Sequence, residues 1–434
     1  MEKIKSRWKL IFFLLIVLAI GGLVAAPTPV ADENIALNAA NIAWMLTATG
    51  LVLLMTPGLS FFYGGMVSKK NVISTMLQSF IALGVITLLW IVVGFSLAFG
   101  DSLGGFIGDP RTFFFFKDVG LKPHPAFGAG LPLLLFALFQ LKFAIITPAL
   151  ITGSFAERVK FSAYLVFMVL FSLLIYAPLA HWTWHPEGLL FKMGVLDFAG
   201  GTVVHMSAGF AAIAGAWVLG PRKNHGESEK HDPARITYVL LGTGMLWFGW
   251  FGFNAGSALA ADTVAIRAFA TTNAASAAAM LTWIFFDAVR GIKVSAMGAC
   301  IGAVVGLVAI TPAAGYVDIG PSIFIGTLAA IISNLAVGFK NKSRLDDTLD
   351  VFPCHGVGGI VGMLLTAVFA KEVGLVYGET TTFFNHLIAL LIEAAFTFFG
   401  SFILYKVTAL IVPLRVSNDE EKLGLDLSQH AEKL

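Results

Sequence analysis

Long apolar segments dominate the sequence and limit what this chain can fold into. A helix that crosses the hydrocarbon core of a bilayer needs about 20 apolar residues. Beyond residue 37 most of the chain lies in such segments, and none alternates polar and apolar residues as the strands of a membrane barrel do. The sequence therefore predicts an all-α membrane protein with eleven transmembrane helices, at about 38–63, 74–99, 131–153, 160–181, 200–220, 236–259, 265–288, 294–311, 321–339, 354–370 and 385–412.

The composition supports this fold class. Of the 434 residues, 57% are hydrophobic and only 12% are charged, whereas a soluble domain carries roughly 25% charged residues. This composition excludes an ordinary cytosolic enzyme, a disordered protein and a disulfide scaffold. The net charge of +2 gives no indication of nucleic-acid binding, and the two cysteines form no metal-binding pattern.

Residues 1–26 have the layout of a secretory signal peptide. Basic residues within 3–9 precede an apolar run, 10–24, and two alanines follow. A run of about fifteen residues is short for a membrane helix and typical of a signal-peptide core. We therefore expect cleavage of residues 1–26, the alternative being a retained extra helix. Residues 38–412 would form the membrane domain and residues 413–434 a cytoplasmic tail.

The distribution of Lys and Arg predicts the orientation. With the mature N-terminus outside, 17 of these residues fall in inside segments and six in outside segments, as the positive-inside rule requires. We expect a multi-pass protein of the cell (inner) membrane with a cytoplasmic C-terminus. Lys142, within the third predicted span, is costly to bury. We expect it to face a subunit contact or the headgroup layer, because a cation in a lumen would repel a cationic substrate.

Two segments resemble each other and suggest an internal repeat. Asp197 precedes His205 in a glycine-rich helix, and Asp350 precedes His355 in another, with spacings of eight and five residues. They fall in the fifth and tenth of eleven spans, so two five-helix units would place them at matching positions. Because five is odd, the second unit would be inverted in the membrane, an architecture common among transporters. The predicted fold is thus two inverted five-helix repeats plus a final helix.

His205 and His355 are the strongest functional candidates. A single histidine in a membrane helix is more often a packing group, but two at repeat-related positions favour a working pair. Neutral imidazole donates from one nitrogen and accepts at the other, so a facing pair could line a narrow path. Two histidines without a third ligand make a poor zinc site. Asp197 fits both a helix N-cap and a source of negative potential in an outer vestibule. Asp350, at the inner end of the tenth span, is expected to be a helix cap.

Aromatic residues predict a cation site at the outer side. Trp184 precedes Asp197, and Phe143 and Phe253 lie well inside their spans. Aromatic faces attract desolvated cations by about 2 kcal/mol. Together with the hydroxyl of Ser257, Trp184 would suit a small cation that carries hydrogen-bond donors.

These residues fall in motifs that resemble the ammonium transporter/Rhesus superfamily, bacterial or archaeal type. The matching stretches run in the family's order and are 61–67 (FFYGGMV), 139–143 (FQLKF), 156–158 (AER), 197–205 (DFAGGTVVH), 250–257 (WFGFNAGS), 311–315 (TPAAG) and 350–356 (DVFPCHG). The resemblance implies a homotrimer with one pore per subunit and a PII-type regulatory protein at the cytoplasmic face. It implies no cofactor.

The resemblance also assigns roles to individual residues. Trp184, Phe143 and Ser257 would recruit ammonium, with Asp197 as the vestibule aspartate. Phe143 and Phe253 would form a stacked gate, and His205 and His355 would line the pore. We expect a transporter that deprotonates ammonium and conducts ammonia, with or without the proton, and that accepts methylammonium as an analogue. The alternative is an ammonium sensor that signals through its tail. An enzyme is not expected, because no catalytic triad, metal triad or phosphate loop accompanies the histidines.

Overall fold

The computed structural model describes residues 2–24, 37–223, 225 and 232–434, and most of these are helical. The α-helices are α1 Glu2–Val24, α2 Ala39–Met66, α3 Val72–Leu89, α4 Phe95–Phe99, α5 Leu133–Ile151, α6 Phe161–Phe171, α7 Ala177–Trp184, α8 Leu189–Lys192, α9 Ser207–Leu219, α10 Ile236–Gly256, α11 Thr263–Val289, α12 Ala296–Ile310, α13 Ile319–Asn341, α14 Gly358–Phe369, α15 Thr381–Ile411, α16 Asn418–Leu423 and α17 Leu425–His430.

Four π-helical segments join or begin these helices. Trp90–Gly94 connects α3 to α4, and Ser172–Tyr176 connects α6 to α7. Gly201–Met206 leads into α9, and Phe352–Val357 leads into α14. The last two contain His205 and His355. Single π-helical turns are rare and frequently occur at functional sites.

A small amount of β-structure lies between α4 and α5. Strand β1, Ser102–Leu103, pairs antiparallel with β2, Ile107–Gly108. Strand β3, Pro123–His124, pairs antiparallel with β4, Phe127–Pro132. These strands were not predicted from the sequence, because they are too short to produce a recognisable alternation of polar and apolar residues.

Ten helical stretches within the described residues are long and apolar enough to cross a membrane. This confirms a multi-pass helical membrane protein. The eighth predicted segment, 294–311, forms the shorter helix α12, and a second short apolar helix covers residues 9–23. A count of eleven spans therefore stays a prediction. So does cleavage of residues 1–26, since residues 25 and 26 lie outside the described part of the chain.

Successive long helices run between two opposite faces of the bundle. The strands β1–β4 lie on one face, which we call the loop face. Residues 413–434 lie on the other, which we call the tail face, where Arg415 donates to the carbonyl of Pro221 at 2.8 Å and Lys70 donates to that of Lys422 at 2.8 Å. Asp426 also accepts from the backbone N–H of Ser74 at 2.7 Å. The tail is therefore docked against the ends of the membrane helices.

Helices α2 and α10 pack closely because a glycine removes a side chain from their contact. A Cβ atom at Gly242 would lie only 2.3 Å from the backbone nitrogen of Phe62. Any larger residue would push the helices apart, as in other small-residue contacts between membrane helices. This contact fixes α10, which carries Trp250 and Phe253.

Candidate functional site

The two candidate histidines meet in the middle of the bundle, although they are 150 positions apart in the chain. The Nδ1 atoms of His205 and His355 are 3.2 Å apart. Their rings are 5.3 Å apart and inclined by 23°, and both side chains are buried. One Nδ1 must donate and the other accept, so the two imidazoles adopt different tautomers when both are neutral.

Glycines next to the histidines allow this approach. A Cβ atom at Gly209, one turn after His205, would lie 2.4 Å from the Cα of Gly356, which follows His355. Backbone therefore contacts backbone where the two helices cross. A side chain at either glycine would separate the imidazoles.

Asp197 caps the segment that carries His205. One carboxylate oxygen accepts from the N–H groups of Gly200 at 2.8 Å and Gly201 at 2.6 Å, and the other accepts from the N–H of Thr202 at 2.8 Å and from its hydroxyl. A carboxylate at this end of a helix satisfies donors that have no partner within the helix. Asp197 thus has the capping geometry that the sequence suggested.

The cap of the second histidine helix is Asp347, and the expectation that Asp350 caps it is wrong. The Asp347 carboxylate accepts from the N–H of Phe352 at 2.7 Å, whereas Asp350 pairs with Lys340 at 2.7 Å. Asp347 lies eight residues before His355, the same spacing as between Asp197 and His205. The unequal spacings in the sequence comparison came from aligning the wrong aspartate.

A narrow cavity lies beside the histidine pair. Its volume is about 10 Å³, close to the minimum that holds one water molecule. Trp250 stacks on His205 at 5.3 Å, and its indole N–H donates to Thr311. The other lining residues are Met55, Leu59, Phe62, Ile146, Leu150, Leu246, Phe253, Val304 and His355. The two imidazoles are therefore the polar side chains of an otherwise apolar cavity that has room for about one small molecule.

Phe143 and Phe253 form a stacked pair next to this cavity. Their ring centroids are 4.1 Å apart, with an angle of 31° between the planes. Phe253 is 6.0 Å from the ring of His205, and Phe143 is 5.8 Å from that of Trp184. The pair separates the histidine cavity from the cavity on the loop face, and both side chains are fully buried.

Four of the candidate residues line the cavity on the loop face. It has a volume of about 450 Å³ and is lined by Phe143, Trp184, Asp197 and Ser257. The Trp184 indole N–H donates to the backbone carbonyl of Asp197 at 3.2 Å, which fixes the ring. The Ser257 hydroxyl donates to the carbonyl of Phe253 at 2.9 Å, so its oxygen lone pairs are available to a donor.

Three further polar residues line this cavity and were missed in the sequence. Gln140, Thr183 and Tyr316 contribute to its wall, and the side-chain oxygen of Gln140 is buried without a hydrogen-bond partner among the described residues. The spacing of Gln140 and Phe143, three apart on one helix, could have indicated a shared face. Lys142 lies in neither cavity and is only partly buried.

A network of charges outside the spans supports the second histidine helix from the tail face. Asp346 accepts from the side chain of Arg222 at 2.9 Å, and the Arg158 guanidinium is 3.9 Å away. Burial opposes ionisation of Asp346, but the hydrogen bonds from Arg222 and the charge of Arg158 prevail and lower its pKa to about 2. Burial raises the pKa of Asp347 to about 6.

No group of three or more His, Cys, Asp and Glu side chains within the described ranges is arranged to hold a metal ion. The side chains that are present can form hydrogen bonds, attract a cation and exchange protons.

Comparison with known proteins places this geometry in a family. The model of the Ammonium Transporter Family matches residues 43–434. A putative ammonium transporter of Methanothermobacter thermautotrophicus is 44% identical, over 91% of this chain and 98% of its own length. The crystal structure of Saccharomyces cerevisiae Mep2 is 36% identical, with a TM-score of 0.84 over 89% of this chain and 90% of that one.

A solved structure named Sensor Amt Protein is also similar, with 30% identity and a TM-score of 0.83 over 90% of this chain and 98% of that chain. The chain belongs to the Ammonium Transporter Family. This membership confirms the resemblance that the sequence motifs indicated, and it indicates transport rather than catalysis.

Proposed function

We propose that this protein is an ammonium transporter that recruits ammonium in the loop-face cavity, deprotonates it and conducts ammonia past His205 and His355. The proposal depends above all on the passage beside the histidines, which is apolar except for the imidazoles and has room for about one small molecule. Such a passage favours a small neutral molecule over a hydrated cation.

Recruitment would depend on the aromatic and oxygen groups of the loop-face cavity. The Trp184 and Phe143 rings attract a cation through their faces. Ser257 accepts an N–H from it, which potassium cannot offer although its charge and size are similar. The buried Asp197 carboxylate adds negative potential at the same wall. These contacts favour ammonium over a metal cation.

Deprotonation would take place at the stacked phenylalanines. An intact ion in the apolar passage would lose its hydration without full compensation. Loss of a proton removes most of this cost, because ammonia is neutral. Beyond Phe253 the ammonia would exchange hydrogen bonds with the two imidazoles, each of which presents a donor or an acceptor.

The membrane setting of the proposal follows the predicted orientation. The loop face would lie outside the cell membrane and the tail face in the cytoplasm, so transport would serve nitrogen uptake. Three subunits would assemble, each with its own pore, and a PII-type protein would bind the tail face.

Transport is tested by reconstituting the protein in liposomes. We expect labelled methylammonium to be taken up along its gradient, and an ammonium pulse on a supported membrane to be followed as current. Lack of uptake in sealed, protein-containing liposomes would contradict the proposal.

An ammonium sensor is the second candidate, and the similarity to Sensor Amt Protein favours keeping it. Because residues 413–434 are docked on the membrane helices, a change in these helices on ammonium binding would be transmitted to the tail. Ammonium-dependent protection of the tail from protease without methylammonium uptake would support the sensor, whereas uptake supports the transporter.

A further inference from the structure

His386, in the second turn of α15, is a buried histidine that the pathway through the bundle does not use. Its side chain is 0% exposed, and it lines neither the histidine cavity nor the loop-face cavity. Burying an imidazole is costly unless its ring nitrogens are hydrogen-bonded. The partners of these two nitrogens therefore indicate what the residue does.

Both ring nitrogens of His386 bind backbone groups. The Nδ1 atom lies 2.9 Å from the carbonyl oxygen of Met363 in α14, and the Nε2 atom lies 2.9 Å from the backbone nitrogen of Leu196, whose N–H donates to it. A carbonyl can only accept, so Nδ1 carries the proton and Nε2 is the acceptor. His386 is therefore a neutral imidazole that joins the helix following His355 to the segment just before Asp197.

The segment 193–198 depends on such contacts from outside. None of its residues belongs to a helix or a strand, so no regular hydrogen-bond pattern fixes its backbone. Residues 194–198 nevertheless form part of the wall of the loop-face cavity. The groups that bind the backbone of this segment therefore set the shape of that wall.

The contact at Leu196 also affects Trp184 and Asp197. Asp197 follows Leu196 directly, and its carbonyl accepts from the Trp184 indole N–H at 3.2 Å. The Asp197 carboxylate accepts from the N–H groups of Gly200 and Gly201. A shift of Leu196 would thus displace both the aromatic ring and the carboxylate at the wall of the cavity.

We propose that His386 is a positioning residue for ammonium recruitment, because its imidazole holds Leu196 and thereby keeps Asp197 and Trp184 in the arrangement that binds the cation. His386 contacts no substrate and acts only through these two residues. The proposal rests on the proposed transport function, since it concerns the cavity in which that function recruits ammonium.

The role of His386 is tested by two replacements in reconstituted liposomes. His386→Phe keeps a planar ring and removes both hydrogen bonds. We expect the methylammonium concentration at half-maximal uptake to rise about tenfold, as is typical when a supporting contact of a binding site is lost. The maximal rate should stay at the wild-type level, because the histidine passage is unchanged. His386→Gln supplies an amide donor and an accepting oxygen and should restore the wild-type concentration.

His181→Phe is the matched control for loss of a buried, doubly bonded imidazole. His181 is also 0% exposed. Its Nδ1 atom lies 2.9 Å from the carbonyl oxygen of Ala98, and its Nε2 atom lies 2.8 Å from the hydroxyl of Ser102. Neither partner lines the loop-face cavity, so this variant should leave the half-saturating concentration unchanged.

The possible outcomes are distinct. A wild-type half-saturating concentration in His386→Phe would overturn the proposal, and so would an equal rise in His181→Phe. An equal rise in His386→Gln would show that the shape of the ring matters rather than its hydrogen bonds, and would overturn it as well. Lack of uptake by the wild type contradicts the transport function itself.

Hydrogen exchange tests the contact without relying on transport. In the wild type the backbone N–H of Leu196 should exchange slowly with solvent although it lies in no helix or strand, because His386 accepts from it. Peptides that cover residues 193–198 should exchange faster in His386→Phe but not in His181→Phe. Rapid exchange of the Leu196 N–H in the wild type would overturn the proposal even if neither variant folds.

Discussion

The Nδ1 atom of His205 lies 3.2 Å from the Nδ1 atom of His355. Because this contact joins two nitrogens of the same kind, one ring donates and the other accepts, and each ring presents its Nε2 atom for other contacts. His205 Nε2 has no hydrogen-bond partner among the described residues. This nitrogen is therefore free to hydrogen-bond the ammonia that we propose to pass here.

Removal of the imidazoles should impair transport. In His205→Ala/His355→Ala the passage loses its polar side chains, and we expect methylammonium uptake to fall about tenfold or more, since desolvated ammonia finds no hydrogen bonds. His124→Ala, on the loop face, is the control. Unchanged uptake together with an unchanged preference for ammonium over potassium would disprove the role of the pair.

The stacked phenylalanines should exclude metal cations. In Phe253→Ala the partner of Phe143 at 4.1 Å is lost, water enters the passage, and we expect a potassium current that the wild type lacks. Phe251→Ala is a matched control two residues away, because Phe251 stacks on Phe269 at 4.0 Å. Ion-selective currents in bilayers measure the difference. If both variants conduct the same potassium current, the current results from loosened helix packing and not from loss of the stacked pair.

Asp197 should contribute to stability as well as to recruitment. Asp197→Asn replaces one accepting oxygen by an amide N–H₂ group that faces backbone donors. We expect the unfolding free energy in detergent to fall by about 2 kcal/mol, which is typical for unsatisfied buried groups. Asp262→Asn, at the exposed cap of α11, should lower the unfolding free energy by less. If the two variants are equally stable, the four hydrogen bonds of Asp197 do not stabilise this segment.

The tail-face network should make stability depend on pH. The pKa of Asp346 is lowered from 3.8 to about 2, so its ion pairs stabilise the folded state fully above about pH 4. This contribution disappears as the pH falls towards about 2. Between about pH 5 and about pH 3 we expect a loss of about 1 kcal/mol in unfolding free energy that is missing in Asp346→Asn. A parallel pH dependence in both proteins would contradict this assignment.

The tail should detach more easily when Asp426, which caps the start of α3, is removed. In Asp426→Ala the N–H groups of Ile73 and Ser74 lose their acceptor, which typically costs about 1 kcal/mol. We expect limited proteolysis to cleave residues 413–434 faster than in the wild type. Asp419→Ala, at an exposed position of α16, should have little effect. Equal cleavage rates in all three proteins would mean that Asp426 does not hold the tail.

The sequence predicted the helices of the candidate site well but not every contact within it. Hydropathy placed the helices within a few residues, since it depends only on local runs of apolar side chains. The aspartate that caps the second histidine helix was misassigned, because the sequence favoured Asp350 in the motif over Asp347 just before it.

The sequence by itself determined the bilayer as the solvent, the approximate limits of the spans, the family motifs and the residues with unusual polarity inside them. Only the tertiary structure decided which of these residues meet. His205 reaches His355 because Gly209 and Gly356 let two helices touch, and Phe143 of α5 stacks on Phe253 of α10 because both helices pack against α2. Such contacts join positions more than a hundred residues apart. They depend on which helix faces pack together, and that is decided by side-chain shape across the whole bundle.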